Sequence, residues 1–321
     1  MREKPRIIAV VGPTASGKSA LALTLAERLG GEIVSCDSMQ IYRGMDIGTA
    51  KPTLAERAAV PHHLIDIAEP EEAFSAVDYI AAAGEAVSDI LSRGKLPILC
   101  GGTGLYLDAF LRGESVETPG ADPAVREELA ALAAERGGEY LHGLLAEVDP
   151  ESAAAIHPNN LRRVIRALEL YRATGVTKTE WDRRSREAPC RFHATVLGLS
   201  YQNREILYGR IERRVDQMVA EGLLGEVRAL AARGVFERSP TAAAAIGYKE
   251  LLPYLAGECT LDEALAELKT ATRRYAKRQM TWFSAKPYVR WIKADDGETV
   301  RNYEEIVNMA LELCDTANNM L

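Results

Sequence analysis

The chain has 321 residues, of which 47% are hydrophobic and 26% charged, and its formal net charge is −7. This composition is typical of a globular protein long enough for two domains, and it excludes a disordered or a fibrous chain. The five cysteines are scattered and form no C-x-x-C pair, which argues against both a disulfide framework and a zinc site.

The first apolar run, residues 7–11, predicts a short strand that stops at a glycine. The run is too short for the hydrophobic region of a signal peptide and too short for a membrane span. We therefore expect a cytoplasmic protein with no membrane partner.

The loop after this strand has the pattern G-x-x-x-x-G-K-[ST], and apolar residues at helical spacing follow it. A strand, a glycine-rich loop and a helix form the context of a phosphate-binding loop, in which backbone N–H groups and the helix N-terminus converge on an anion. Lys18 would contact the outer phosphates, and the Ser19 hydroxyl is a ligand for Mg²⁺. The pattern is shared with ATP-binding loops and does not specify which diphosphate is held. The predicted phosphate-binding residues are Gly12, Pro13, Thr14, Ala15, Ser16, Gly17, Lys18 and Ser19.

Two further strands end in residues with candidate chemistry. Residues 32–35 predict a strand that ends just before Asp37, and residues 95–100 predict one that ends at the turn containing Thr103. Ligands of parallel α/β sheets lie at the carboxyl ends of the strands, so both residues should face the same crevice as the phosphate-binding loop. Asp37 fits a general base, a hydrogen-bond acceptor for a nucleophile, or a turn aspartate. Thr103 fits either an active hydroxyl or a plain tight turn.

The adjacent His62 and His63 indicate a metal only weakly, because neighbouring side chains of an extended segment point to opposite faces. After residue 112 the pattern changes to helices rich in Ala, Leu and Glu. We therefore predict a helical insertion domain at 114–192 between two parts of an α/β core, 1–113 and 193–321.

The second part of the core begins with a strand predicted at 193–199. A helix at 203–221 follows and presents Arg210 and Arg214 on one face. A long helix at about 261–282 and a strand at 288–293 complete the predicted parallel sheet flanked by helices.

Two segments, 162–191 and 269–293, are basic although the chain as a whole is acidic. A single basic run is most often a solvated helix face. Two such runs, the second interleaved with aromatic residues, favour binding to the phosphate backbone of a nucleic acid.

Taken together, these motifs closely resemble those of the tRNA dimethylallyltransferases, also called tRNA isopentenyltransferases. The matching segments are 12–19, 37–38, 41–46, 48–52, 61–66, 101–106, 166–169, 246–250 and 272–283. The resemblance implies a P-loop NTPase-like fold with an inserted all-helical domain that grips tRNA. It also implies a loop that holds the diphosphate of dimethylallyl diphosphate with Mg²⁺. The acceptor would be the exocyclic amine of the adenosine immediately 3′ of the anticodon.

By the same resemblance, Asp37 is the general base, Thr103 assists it, and Arg214 or Arg210 contacts the diphosphate. The target base would flip out of the anticodon stem-loop into a channel through the core. We expect a monomer. The tRNA contacts implied are Asp37, Ser38, Met39, Gln40, Arg162, Arg163, Arg166, Gly247, Tyr248, Lys249, Arg273, Lys277, Arg278 and Gln279.

The sequence departs from the family pattern at two positions. The run 241–245 lacks the polar or basic residue of some members, and Ser284 stands where a basic residue is common. Both departures place a contact to RNA in doubt.

Three alternatives remain at this stage. A small-molecule P-loop kinase leaves the basic aromatic segment 269–293 without a role, and an isopentenyltransferase of free adenine nucleotides leaves the arginines of 162–191 without one. A non-catalytic, nucleotide-gated RNA-binding protein would not need Asp37 and Thr103.

Overall fold

In the computed structural model, which describes residues 4–112, 122–187 and 190–318, the apolar runs of the sequence form six parallel strands. The order across the sheet is β3-β2-β4-β1-β5-β6, so β1 lies between β4 and β5. The strands are β1 (Arg6–Val11), β2 (Gly31–Ser35), β3 (His62–His63), β4 (Leu96–Cys100), β5 (His193–Ser200) and β6 (Val289–Lys293). Their near-continuous apolar sequence reflects burial on both faces, as in other parallel sheets. The predicted parallel α/β sheet is confirmed.

At least one helix follows each strand, and the longest runs of helices follow β4 and β5. They are α1 (Lys18–Leu29), α2 (Leu54–Ala59), α3 (Ala76–Ser92), α4 (Gly104–Arg112), α5 (Pro123–Arg136), α6 (Gly138–Val148), α7 (Pro150–Ala155), α8 (Leu161–Thr174), α9 (Lys178–Glu187), α10 (Arg204–Ala220), α11 (Leu223–Ala232), α12 (Val235–Arg238), α13 (Pro240–Ala243), α14 (Leu252–Leu255), α15 (Leu261–Ser284) and α16 (Tyr303–Asn318). Throughout the described ranges, every helix is too short or too polar to cross a lipid bilayer.

The chain divides into two compact units, which are residues 1–110 with 192–321 and residues 111–191. The first contains the sheet, whose central strands pack against α1 and α16 through a large apolar cluster. The second contains α5 to α9 around a separate cluster that includes Leu129, Leu141 and Val164. The boundary predicted between core and insertion, residues 113 and 114, lies outside the described residues.

A buried carboxylate inside the sheet was not anticipated from the sequence. Glu32 in β2 is 5% exposed and accepts hydrogen bonds from Arg93 and, at 2.8 Å, from Nε2 of His63. The hydrogen bond from Arg93 is the main reason why the pKa of Glu32 falls from 4.5 to about 2, with burial opposing the shift and His63 supporting it. Because the pKa is lower in the folded state, ionised Glu32 stabilises the fold above pH 4.5, and this stabilisation is lost as the pH falls towards 2.

We predict that Glu32→Gln lowers the free energy of unfolding at pH 7 by about 1–3 kcal/mol, because Arg93 and His63 lose the buried charged acceptor that they share. Thermal unfolding measured from pH 7 downwards should show the difference from wild type narrowing below pH 4.5. The control is Asp89→Asn, which removes the exposed partner of the same arginine and should cost about 0.3–0.5 kcal/mol. Equal losses in the two variants would contradict the assignment.

Candidate functional site

Three loops meet at the carboxyl edge of the sheet and are joined by backbone hydrogen bonds. Gly101 N–H donates to the carbonyl of Val10 at 3.2 Å, and Cys36 N–H donates to the carbonyl of Cys100 at 2.8 Å. Thr103 N–H in turn donates to the carbonyl of Cys36 at 3.2 Å. The loops after β1, β2 and β4 are therefore adjacent, and they bring the glycine-rich loop, Asp37 and Thr103 to one edge.

The glycine-rich loop has a backbone conformation that its sequence permits. Gly12 and Gly17 have φ angles of 142° and 95°, and a Cβ on Gly12 would lie 2.7 Å from the carbonyl oxygen of Leu199. Ala15 also has a positive φ of 62°, and its carbonyl accepts a hydrogen bond from Nε of Arg210 at 2.8 Å. The loop leads directly into α1, whose N-terminus is suited to bind an anion.

Two connected cavities adjoin this loop in the unit that contains the sheet. The larger measures about 790 Å³ and the smaller about 70 Å³. Residues that line both are Lys18, Ser19, Pro52, His62 and Arg214. The smaller cavity is also lined by Thr14, Asp37, Gln40, Thr49, Tyr275 and Gln279. The larger is also lined by Arg210, Arg213 and part of the segment that precedes α2.

The electrostatics of the cavities favour an anion. Burial lowers the pKa of Lys18, and the nearby charge of Arg214 lowers it further. Burial likewise lowers the pKa of Arg214, and the charge of Asp37 acts in the opposite direction. Two partly buried cations that raise each other's free energy are stabilised by a negatively charged ligand between them. Arg214 therefore faces both cavities as a charge, whereas Arg210 also supports the loop backbone.

Asp37 is part of a turn and also lines the smaller cavity. Its Oδ1 accepts hydrogen bonds from the N–H groups of Met39 at 2.9 Å and Gln40 at 3.4 Å, as in a turn. Its carboxylate also lines the smaller cavity beside Lys18 and Arg214. Both hydrogen bonds described for this carboxylate end on Oδ1, so Oδ2 is the oxygen suited to accept a proton.

Thr103 supports the same turn from the neighbouring loop. Its Oγ1 accepts a hydrogen bond from the N–H of Ser38 at 3.1 Å and contacts the Ser38 hydroxyl at 3.4 Å. The structure thus brings Asp37 and Thr103 together through the residue that follows Asp37.

Gln279 connects the glycine-rich loop to the loop that carries Thr103. Its Oε1 accepts a hydrogen bond from the N–H of Thr14 at 2.8 Å, and its Nε2 donates to the carbonyl of Gly102 at 3.2 Å. A Cβ on Gly102 would lie only 1.9 Å from Nε2 of Gln279, so the close approach needs a glycine. Gln279 is 4% exposed, and sequence reasoning did not anticipate this bridge.

The other residues predicted to contact tRNA fall into two groups. Five are cations exposed at the surface, and no ion pair joins any of them to another described residue; these are Arg162, Arg163, Lys249, Lys277 and Arg278. The second group has partners within the protein: Arg166 binds Glu169, Arg273 binds Glu212, and the Gln40 amide donates to the carbonyls of Thr49 and Ala50. Gly247 and Tyr248 are buried, and Tyr248 is fully so.

Both histidines of β3 have partners in the fold. Nδ1 of His62 contacts the carbonyl of Val60 at 2.7 Å, and burial lowers the pKa of His62. His63 binds Glu32. Within the described ranges, no group of three His, Cys, Asp or Glu residues is arranged to hold a metal ion.

The fold and the site define an α/β protein with a glycine-rich loop that connects the sheet strand β1 to α1. The family model described as "IPP transferase" matches residues 40–286. The chain belongs to this family, which confirms the resemblance seen in the sequence.

Curated relatives match over nearly the whole chain. A tRNA dimethylallyltransferase of Halalkalibacterium halodurans is 49% identical over 95% of this chain and 96% of its own length. One of Geobacillus thermodenitrificans is 51% identical over 91% of this chain and 92% of its own length.

Solved structures agree with these relatives. A tRNA isopentenylpyrophosphate transferase of Bacillus halodurans superposes with a TM-score of 0.71 at 44% identity, covering 99% of each chain. A eukaryotic dimethylallyltransferase, described as acting on tRNA, superposes with a TM-score of 0.82 at 29% identity. That match covers 97% of this chain and 80% of the eukaryotic chain.

We predict that inorganic pyrophosphate raises the melting temperature, because it neutralises the partly buried cations at the glycine-rich loop. At a concentration of about 100 Kd the stabilisation should be about 2.7 kcal/mol. Lys18→Ala should lose most of this shift in a thermal unfolding assay. Lys95→Ala, which removes an exposed lysine elsewhere on the same unit, should keep it. A Lys18 variant with the full shift would remove this lysine from the anion site.

Proposed function

We propose that this protein transfers the dimethylallyl group of dimethylallyl diphosphate to the exocyclic amine of the adenosine immediately 3′ of the anticodon in tRNA. The observation that carries the proposal is the cavity that Asp37 lines together with the two partly buried cations Lys18 and Arg214. A site that places a proton acceptor beside an anion-binding group suits a displacement reaction in which diphosphate is the leaving group. The membership of the chain in the IPP transferase family supports this assignment.

The proposed reaction breaks the allylic carbon–oxygen bond and forms a bond from that carbon to the adenine nitrogen. Negative charge grows on the departing diphosphate as the bond breaks, and Lys18, Arg214 and the N–H groups of the loop stabilise it. The amine becomes acidic as it attacks, and Oδ2 of Asp37 accepts its proton. Thr103 keeps the Asp37 turn in place through Ser38.

Mg²⁺ is the metal that fits this donor set best. Ser19 follows the loop lysine and lines both cavities, and hydroxyl and phosphate oxygens are ligands that Mg²⁺ prefers. We propose that Ser19 holds the ion together with diphosphate oxygens and water. When bound, it would supply positive charge to the leaving group.

The proposed contacts to RNA phosphates are five exposed cations, two in the helical unit and three in the unit that contains the sheet. Arg162 and Arg163 on α8, Lys249, and Lys277 and Arg278 on α15 would bind phosphates of the anticodon stem-loop. Ser38, Met39 and Gln40, next to Asp37, would contact the flipped base. Reaction in the cytoplasm by a monomer is part of this proposal.

A single assay separates the candidate functions. The protein is incubated with labelled dimethylallyl diphosphate, Mg²⁺ and either an anticodon stem-loop or AMP, and in a parallel reaction with ATP and small acceptors. We expect label on the stem-loop alone. Label on AMP but not on RNA would favour an enzyme of free nucleotides, and phosphoryl transfer from ATP would favour a kinase.

We predict that Asp37→Asn lowers kcat by about 10²-fold or more, because it removes the proton acceptor. Asparagine keeps an Oδ1 for the N–H groups of Met39 and Gln40, so the turn should persist. Affinity for the stem-loop, measured by filter binding, should stay within about twofold of wild type. A loss of affinity as large as the loss of rate would identify Asp37 as a binding residue instead.

We predict that Arg162→Ala weakens stem-loop binding and reduces the slope of log K against log salt by about 0.7–0.9, the value for one phosphate contact. The matched control is Arg172→Ala on the same helix, because Arg172 is paired with Glu128 at 3.0 Å. Its slope should equal that of wild type. If the slope is also unchanged for the Arg162 variant, this arginine does not contact phosphate.

A further inference from the structure

A carboxylate outside the cavities binds the backbone of a segment that lines them. Oε2 of Glu226, on α11, accepts hydrogen bonds from the N–H groups of Asp46 at 2.9 Å and Ile47 at 2.8 Å. Oε1 accepts from the N–H of Gly48 at 3.0 Å and from the hydroxyl of Tyr248 at 2.6 Å. Three consecutive backbone donors therefore converge on one side chain.

The same segment also packs closely against Tyr248 and Gly247. A Cβ on Gly48 would lie 2.6 Å from the ring of Tyr248, so the backbone passes directly over the ring. Gly247 has a φ of 100°, and a Cβ there would lie 3.2 Å from the carbonyl oxygen of Gly48. The carboxylate of Glu226 and the ring of Tyr248 together fix where Gly48 lies.

Residues 46–52, the cavity-wall segment, line both cavities. Asp46, Ile47, Ala50 and Lys51 line the larger cavity, Thr49 lines the smaller, and residue 52 lines both. Glu226 is absent from the lining of either cavity. It therefore acts on the cavities only through the backbone that it holds.

The charge of Glu226 is balanced by this segment rather than by a cation. Among the residues that the structure describes, no lysine, arginine or histidine forms an ion pair with it. Its four partners are three N–H groups and one hydroxyl, and hydrogen bonds to an ionised acceptor are stronger than those between neutral groups. Without the carboxylate, three donors in a partly buried place would lose their common acceptor.

We propose that Glu226 is a positioning residue that sets the cavity-wall segment against Lys18, Ser19 and Arg214 and thereby determines how tightly the cavity binds the prenyl diphosphate. This inference rests on the proposed function for the identity of the ligand. The position of the segment itself depends only on the hydrogen bonds given above.

The test uses Glu226→Gln, which keeps the shape of the side chain but places an amide N–H₂ group against backbone donors. Hydrogen exchange at the amides of residues 46–48 should accelerate by about tenfold or more. At saturating stem-loop, KM for dimethylallyl diphosphate should rise about tenfold while kcat stays within about twofold, because Asp37 and Thr103 are not displaced.

Two control variants test whether the effect is specific to the carboxylate of Glu226. Glu237→Gln changes an exposed glutamate on the following helix and should match wild type in both measurements. Tyr248→Phe removes one hydrogen bond to Oε1 but keeps the ring, so exchange at Asp46 and Ile47, which bind Oε2, should stay as in wild type.

Three outcomes would overturn the inference. The first is unchanged hydrogen exchange at residues 46–48. The second is faster exchange with an unchanged KM for dimethylallyl diphosphate. The third is an equal fall in kcat/KM for dimethylallyl diphosphate and for the stem-loop, together with a lower melting temperature. If wild type transfers no dimethylallyl group, the proposed function fails, and the Kd for inorganic pyrophosphate replaces KM. A tenfold weaker Kd in Glu226→Gln would then support the positioning role, and an unchanged Kd would refute it.

Discussion

The chemistry of this protein depends on how closely three loops approach at the carboxyl edge of the sheet. The turn after β4 passes so near the end of β2 that a Cβ on Gly101 would lie 2.0 Å from the carbonyl oxygen of Cys36. This contact allows the backbone hydrogen bonds that join the loops after β1, β2 and β4. With those bonds in place, the glycine-rich loop and the Asp37 turn line one cavity instead of separate grooves.

The cavity combines groups whose charges oppose one another. Lys18 and Arg214 are both partly buried, and each has a lowered pKa because burial and a neighbouring cation disfavour its charge. Asp37 offsets part of this repulsion, so the site holds two cations and one carboxylate before any ligand binds. A diphosphate would complete the balance. Its departure after reaction would restore the repulsion, so the cations that stabilise the leaving group would also slow its release.

Local sequence signals were sufficient for five of the six described strands, for the parallel sheet and for the glycine-rich loop, because a short apolar run and its flanking glycine lie within a few residues of each other. The two-residue edge strand β3 was not predicted, since it has no apolar run of its own. The positions of Asp37 and Thr103 followed from one rule about parallel sheets. The supporting contacts could not be predicted in this way. Gly48 and Glu226 are 178 residues apart, and Thr14 and Gln279 are 265 apart. The family motif marked Tyr248 and Gln279 as RNA contacts, but it carried no information about their burial.

The bridge made by Gln279 also constrains which sequences this fold accepts. Any side chain at residue 102 would occupy the space of the Gln279 amide, and a shorter side chain at 279 would leave the N–H of Thr14 without its acceptor. The two positions lie 177 residues apart, and a side chain introduced at 102 would displace the Gln279 amide from its hydrogen bonds. The helix α15 and the turn after β4 are therefore coupled through a single side chain, although they are far apart in the sequence.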